Sequence, residues 1–428
     1  MAGPPNVSRE RVLEGVAREL ARGGDAVVDT TAGVAFVPQV LPTERVILRN
    51  VRREGGALRA ELARVVEASV ERVEPPCPYA MTCGGCPWMI ATLPLQHEWK
   101  RNFVAKAVGV PPEAIELLTS DQPLHYRRRA RLAWKASRAR VDLGYRKART
   151  RDVIDVQACT VLVPVLDQAL AAIRNAFHLC LRGEGEIALA LGQGGKAVLL
   201  LTSDTPQPPE AYEHARTLAA SDLFAGVALT AGGATSPALF GDPREVGTGI
   251  DGKALLGTIG GFSQAHGAIN DALVRKVIEL AAPKDLSVLE LYAGHGNLTV
   301  ALAADAKHVH AVEQDEAAVR ACEENIRSRG LHNVRVAHGD AADHVRGPHV
   351  DVIVLDPPRA GAKDVLQAIA ARKPSRIVYV SCDTATLARD IKELASLGYI
   401  PDAFTAFDMF PQTSHVETVV RLAAQRVG

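Results

Sequence analysis

This chain of 428 residues has no net charge, since 49 Lys and Arg are matched by 49 Asp and Glu. Bulk composition gives no reason to expect a nucleic-acid partner, and any such preference must be local. Long apolar runs are missing too. No segment approaches the ~20 apolar residues that span a bilayer, and Met1 to Glu14 has no apolar signal-peptide core. The expectation is a cytoplasmic protein with no membrane partner. Seven cysteines is an odd number, which argues against a disulfide framework. In a reducing compartment, clustered cysteines more often bind metal or do chemistry. There is no internal repeat and no low-complexity tail. What the chain does have is 47% apolar content, ample for buried cores, and a length that suggests two or three domains.

From about Val7 to Ala68 the chain is rich in Val, Gly and short alternating runs, with turn signals at Gly23-Gly24 and Gly55-Gly56. This predicts a small all-β barrel of OB type, ended by Pro75-Pro76. A cysteine-dense loop and a helix over Leu95 to Val108 follow. Residues 121–260 mix strands, helices and Gly/Pro-rich loops without a clear order. From Ala268 the pattern is regular. Helices are expected over Ile269–Ala281 and Asp315–Arg329. Strands are expected over Ser287–Tyr292, His308–Glu313, Val334–His338 and Val350–Leu355. Such alternation implies a parallel sheet covered by helices. The expected fold is multidomain α/β: a barrel over 1–74, a cysteine-bearing segment and central α+β domain over 75–261, and a Rossmann-like domain over 262–428.

Ser381-Cys382-Asp383 follows an apolar strand, Ile377 to Val380, and precedes a helical segment, Ala385 to Leu397. Chemistry in α/β proteins sits at such strand ends. A strand-end cysteine alone is often only a packing residue. Here Pro411-Gln-Thr-Ser-His415-Val-Glu417 adds a carboxylate, which suggests a nucleophile and a base. His415 either joins them or orders the loop.

The cofactor turn is Glu290-Leu-Tyr292-Ala-Gly294-His-Gly296-Asn297. Glu313 follows at about the spacing at which an acid grips a ribose diol. A lone acid there could equally be a surface residue near a helix start, but Asp340 and Asp356 continue a series at successive strand ends. NAD and S-adenosylmethionine both fit. The turn lacks the full G-x-G-x-x-G, which disfavours a pyrophosphate and favours the methyl donor. Asp356-Pro-Pro-Arg359 resembles the loop of enzymes that methylate exocyclic amines, but Arg359 stands where those enzymes carry an aromatic. A thiol, a carboxylate and a sulfonium in one pocket is the equipment that methylation of uracil at carbon 5 demands, with the base unstacked to reach it.

Cys77-x5-Cys83-Gly-Gly-Cys86 places three thiols close together, and Cys159 could supply a fourth. Zinc favours paired C-x2-C units, and only one is present, so a [4Fe–4S] cluster is the preferred reading. Between His125 and Arg151 there are eleven Lys/Arg and one acid, Asp142, with Tyr126, Trp134 and Tyr145 interleaved. That is the footprint of a single-stranded RNA site, although a solvated basic face has the same composition.

These residues together resemble the RNA uracil-5 methyltransferase family, in its iron–sulfur branch that modifies 23S ribosomal RNA, over nearly the whole chain. Phe36 to Glu44 is similar to a run of the TRAM domain, an OB-like RNA-binding module. The resemblance implies cluster ligands at Cys77, Cys83, Cys86 and Cys159. It implies S-adenosylmethionine contacts at Gln264, Tyr292, Gly294, Asn297, Glu313, Asp340 and Asp356, a nucleophile at Cys382 and a proton-abstracting base at Glu417. The expected product is 5-methyluridine in 23S rRNA, made by a monomer with no DNA partner. The alternatives are methylation of the tRNA T-loop or a non-catalytic RNA-binding scaffold. Glu290, Thr384, His266 and Thr43 depart from the family, which usually has Asp, Pro, Asn and Gly there.

Overall fold

The computed structural model describes residues 12–425. Val7 to Arg11 of the expected barrel and the last three residues of the expected catalytic domain lie outside that range. The chain forms two compact units. One holds the described residues through Trp99 together with Pro411–Ser414, and the other holds Lys100–Phe410 and the chain from His415.

The first unit contains a closed barrel of β1 (Leu13–Leu20), β2 (Ala26–Thr30), β3 (Gly33–Val37), β4 (Arg45–Glu54) and β5 (Ala57–Glu67), in the order β1-β2-β3-β5-β4. Many of its buried positions are small or β-branched, among them Ala17, Val28, Ala35, Val37 and Val46, with Leu20, Leu48 and Leu58 filling the rest, which suits a narrow interior. The β4–β5 hairpin turns at Gly55 and Gly56, with φ of +55° and +84°, a conformation that favours a residue without Cβ. Just before β4, the fully buried Glu44 accepts from the Leu41 amide at 2.8 Å and pairs with Arg72 Nε at 2.5 Å. Thr43 beside it has φ +72°. A β-branched side chain is strained there, which accounts physically for the glycine usual at this place.

Helix α1 (Leu93–Val108) leads into the second unit, where β6 (Glu116–Leu118) follows. The segment that lacked order in the sequence is a seven-stranded sheet. It comprises β7 (Arg129–Ala136), β8 (Val141–Arg146), β9 (Val153–Asp155), β10 (Glu184–Leu191), β11 (Ala197–Ser203), β12 (Phe224–Ala231) and β13 (Ala238–Gly241), ordered β13-β12-β11-β10-β7-β8-β9. Helices α2 (Pro164–Phe177) and α3 (Pro209–Ala219) pack on it through buried stripes such as Leu166, Leu170, Ile173 and Ala211, Ala215, Leu218. A ribbon of β14 (Glu245–Thr248) and β15 (Ala254–Gly257) closes the segment.

The rest of the unit is doubly wound. In chain order it runs α4 (Gly267–Ala281), β16 (Ser287–Leu291), α5 (Thr299–Leu302), β17 (His308–Glu313), α6 (Glu316–Arg329), β18 (Val334–His338), α7 (Ala341–His344) and β19 (Val352–Leu355). It continues through α8 (Leu366–Ala371), β20 (Arg376–Ser381), α9 (Thr384–Ser396), β21 (Tyr399–Phe407) and β22 (Glu417–Ala424). The sheet order is β18-β17-β16-β19-β20-β22-β21-β6. The first five strands are parallel and β22 turns antiparallel to β20. Alternation decides the layers. Val288, Val352, Val354, Val378 and Val380 join the core under α4 and α5, while Leu289, Ile353, Leu355, Ile377 and Tyr379 join the core under α8 and α9. Strand order reverses between β16 and β19, and ligands of such sheets bind in the crevice beyond the carboxyl ends at that point.

Candidate active site

Register brings the expected residues to one edge of this sheet. Leu291 pairs with Val312 and Leu355, and Leu355 with Tyr379. The residues that follow each pair, Tyr292, Glu313 and Asp356, therefore leave the sheet side by side. Ser381 pairs with Thr418 on the antiparallel side, which adds Cys382 and Glu417 to the row.

The turn after β16 is built for close approach. Tyr292 has φ +63° and Gly294 φ +57°, and a Cβ on Gly294 would meet open space. The Gly294 amide donates to Glu313 Oε2 at 2.8 Å, and the Asp315 amide donates to Glu313 Oε1 at 2.8 Å. Glu313 thus fastens the turn to the start of α6, and each of its oxygens retains acceptor capacity. Asp315 caps α6 by accepting from the Ala318 amide. Asp340 lies two residues beyond β18, is exposed, and caps α7. Asn297 exchanges reciprocal amide hydrogen bonds of 2.8 and 3.2 Å with Asn270 on α4. Asn270 escaped the sequence reading. A polar residue on an otherwise apolar helix face was its only signal.

Gln264 and Asn297 line one cavity with Asn270, His295 and Arg128. Gln264 Oε1 is buried without a hydrogen-bond partner among the described residues. The loop before it is pinned from β7. Arg129 donates to the carbonyls of Ser263 at 2.9 Å and Gly261 at 2.5 Å, and Arg131 donates to Gly260 at 3.1 Å. Phe262 is 70% exposed, with the Arg129 guanidinium 5.8 Å from its ring centre.

Three carboxyl groups at this edge resist ionisation. Burial raises Glu290 to about 8, with Asp356 and Glu313 adding to the effect and a hydrogen bond to Thr299 opposing it. Glu290 Oε2 has no hydrogen-bond partner among the described residues. Burial raises Asp356 to about 7. Burial also raises Glu417 to about 8, with Asp356 adding and Arg359 opposing. The half-buried Cys382 thiol is pushed up to about 11 by burial, then by Glu417 and Asp356, against the pull of Arg359. A cation placed beside such carboxyls returns them to their ionised form, so the crevice suits a cationic ligand. The sulfonium and ammonium of S-adenosylmethionine fit that demand, and the open space at Gly294 fits a close ligand approach.

The comparisons with known proteins agree with this geometry. A family model described as tRNA (Uracil-5-)-methyltransferase matches residues 256–425. The 23S rRNA (uracil(1939)-C(5))-methyltransferase RlmD of Enterobacter sp. (strain 638) is 33% identical over 97% of this chain and 97% of its own. That of Pseudomonas putida is 32% identical over 95% of this chain and 92% of its own. The chain belongs to the RNA uracil-5 methyltransferase family. It is therefore an enzyme with the α/β fold of the S-adenosylmethionine-dependent methyltransferases. The crystal structure of Pyrococcus abyssi tRNA (uracil-54, C5)-methyltransferase in complex with S-adenosyl-L-homocysteine has the same fold. It superposes with a TM-score of 0.76 at 24% identity, covering 96% of this chain and 100% of that one.

Two expectations stand differently for this uracil-5 methyltransferase. Cys77, Cys83 and Cys86 are each half-buried, and the Gly85 amide donates to Cys83 Sγ at 3.4 Å. Cys159 is buried, with the Tyr145 hydroxyl 3.6 Å from its sulfur. Among the described residues no three Cys, His, Asp or Glu side chains are gathered as a metal would require. The basic segment also changes character. Trp134 and Tyr126 are 1% and 4% exposed, so both are core residues and neither can stack on a base. Trp134 is buried on β7, and Tyr126, in the loop before it, stacks on His266 with ring centres 4.9 Å apart, which the sequence count could not register. Glu186 on β10 lies 3.4 Å from Arg131 and 3.7 Å from Arg146, and Glu184 lies 3.7 Å from Lys135. The strand next door thus sets two carboxylates against three of the eleven basic residues. Arg131, Lys135, Arg138, Arg140 and Arg146 are exposed, as is the β8–β9 tip at Lys147, Arg149 and Arg151. No helix among the described residues is long and apolar enough to cross a membrane.

Proposed function

We propose that this enzyme methylates carbon 5 of a uridine in 23S rRNA, in the cytoplasm, with S-adenosylmethionine as donor. The observation that carries the reading is the Ser381–Thr418 register pair, which sets Cys382 and Glu417 at neighbouring strand ends beside Asp356. Tyr292, Gly294, Asn297, Glu313 and Asp340 would hold the donor, which supplies an electrophilic methyl group. Cys382 Sγ adds to carbon 6 of the flipped uracil as a thiolate, its proton passing to a neighbouring carboxylate. Addition makes carbon 5 nucleophilic. Once carbon 5 bears the methyl group, the Glu417 carboxylate removes its remaining proton. The carbon 5–carbon 6 double bond re-forms and the sulfur leaves as thiolate. Asp356 and Gln264 position the base and the donor.

In the same reading the barrel is a TRAM-type RNA-binding module over 1–74, and the domain over 75–261 binds RNA through its exposed basic tips. Cys77, Cys83, Cys86 and Cys159 are the ligands of a [4Fe–4S] cluster. The chemistry of the donor set supports this, as does the amide directed at Cys83 Sγ. The side chains as they stand are not gathered, and no step of methyl transfer needs the cluster. Iron and sulfide analysis of anaerobically purified protein tests it, with loss of the ~400 nm absorbance expected in Cys86→Ser.

The likeness to a solved tRNA enzyme favours one second reading, methylation of tRNA. Labelled S-adenosylmethionine offered with unmodified 23S rRNA and tRNA transcripts separates the two. Appearance of 5-methyluridine only in 23S rRNA is expected. Label only in tRNA would replace the substrate but keep the chemistry.

A further inference from the structure

Asp390 is fully buried on α9, two turns after Cys382. Its Oδ2 accepts from the Tyr379 hydroxyl at 2.7 Å and from the Ala362 amide at 2.8 Å. Its Oδ1 accepts from Arg389 Nε at 2.7 Å, and Arg389 Nη2 reaches the Ala360 carbonyl at 2.9 Å. One carboxylate therefore joins β20 three residues before Cys382, the helix that follows Cys382, and the loop that follows Asp356. That loop has little structure of its own beyond a turn in which the Gly361 amide donates to the Pro358 carbonyl at 2.8 Å. It lies tight against α9. A Cβ on Gly361, which has φ +79°, would come within 2.5 Å of Asp390 Oδ2 and also collide with Arg389 Nη2.

We propose that Asp390 is a positioning residue for methyl transfer: it locks the loop Asp356–Ala362, and with it Arg359, at a fixed offset from Cys382. The inference rests on the reading of Cys382 as the nucleophile. The groups that bear on the thiol are Glu417 on β22 and Asp356 and Arg359 on the loop. Arg359 is the cation among them, so the thiolate depends on where the loop holds it. The hub contributes no atom to substrate or donor. Its effect is to keep one charge in place beside a thiol that two carboxylates oppose.

The test is the pH dependence of Cys382 alkylation by iodoacetamide, read on the Cys382 peptide by mass spectrometry, in the full-length protein. Gly361→Ala and Tyr379→Phe loosen the lock from opposite sides and Arg359→Gln removes the charge it holds. All three are expected to move the alkylation midpoint to higher pH by at least half a unit. Gly361→Ala added to Arg359→Gln should move it no further. The hub variants should also lower kcat at least tenfold while changing KM for RNA less than threefold. If Gly361→Ala does not fold, Tyr379→Phe carries the test alone. An unshifted alkylation profile in the folded hub variants, or a further shift in the double variant, overturns the proposal. Alkylation is read without methyl transfer, so it stands apart from the assignment of the nucleophile, which fails instead if Cys382→Ala retains turnover.

Discussion

Ser381 lies opposite Thr418 in the antiparallel ladder between β20 and β22. One step further along each strand, in opposite chain directions, stand Cys382 and Glu417. A thiol and a carboxyl some thirty residues apart in sequence are thereby made neighbours by backbone hydrogen bonds alone. Cys382→Ala is expected to abolish methyl transfer and leave RNA affinity unchanged in a filter-binding assay. Glu417→Gln should let the thiol add but not leave. A protein–RNA adduct that survives a denaturing gel is the expected result, and a free RNA band alone would remove Glu417 from the role of base.

Glu417 also gives the reaction a pH dependence. Burial raises it to about 8, so the carboxylate form in the RNA-free enzyme grows as pH climbs through that value. The kcat/KM for RNA reports ionisations of the free enzyme. It should increase about 25-fold between pH 6.5 and 8.5, and a flat profile would show that the base titrates elsewhere.

Glu290 should make the fold itself pH-sensitive. Its carboxyl is raised to about 8 in the folded state, against an ordinary value near ~4.3 when unfolded. Between those values the unfolded chain is ionised while the folded one holds a proton, so this group destabilises the fold increasingly as pH rises from about 4 to 8 and steadily above. Glu290→Gln should melt close to wild type at pH 5. At pH 8 it should be more stable, by on the order of 4–5 kcal/mol. An advantage of equal size at both pH values would mean the carboxyl is not the cause.

Thr43 offers a stabilising change. Its φ of +72° costs a β-branched residue roughly 1–2 kcal/mol. Thr43→Gly relieves this but loosens the unfolded chain, for a net gain of about 1 kcal/mol in urea denaturation. Destabilisation would show that the threonine side chain makes up for its backbone.

Lys100 and Asp408 form an ion pair with almost no exposure, 0% and 2% at their side chains, and Lys100 Nζ also donates to the Phe410 carbonyl at 3.0 Å. Removing either partner strands a charge in the interior. Lys100→Met and Asp408→Leu should each cost about 3–5 kcal/mol, and the double substitution should recover most of it. Thermal melting of the four proteins reads this directly, and additive losses would contradict it.

Much of this was legible in the residues. The central doubly wound strands were visible because β16, β19 and β20 are apolar runs with most positions buried, from Val288 to Val380. Residues 121–260 were not legible. Their sheet pairs β7 with β10, a partner some fifty residues away, and no local pattern encodes that choice. The basic segment misled for the same reason, since Glu184 and Glu186 belong to another stretch of chain. Tyr126 and Trp134 read as stacking platforms, but Trp134 is buried on β7 and Tyr126 is covered by His266. Among the site residues, strand ends marked Glu313, Asp356 and Cys382. Tyr379 and Asp390, which tie the strand before Cys382 to the loop after Asp356, carried no sequence signal because their roles exist only once helices and strands are packed.

Strand β6 completes the edge of the catalytic sheet, Glu116 pairing with Thr405 and Leu118 with Phe407. Nearly three hundred residues of chain separate the two sides of that ladder. A ribosome must therefore release β6 long before its neighbour exists, and the last ladder of the sheet closes only when synthesis is almost over. Contacts of such span slow folding. A fragment beginning near residue 262 would carry β21 as an uncovered edge, with Ile400 already exposed at 43%, and such edges invite aggregation. The catalytic half of this enzyme is thus not a portable module, and truncations meant to isolate it need to keep the short strand that the sequence places in another domain.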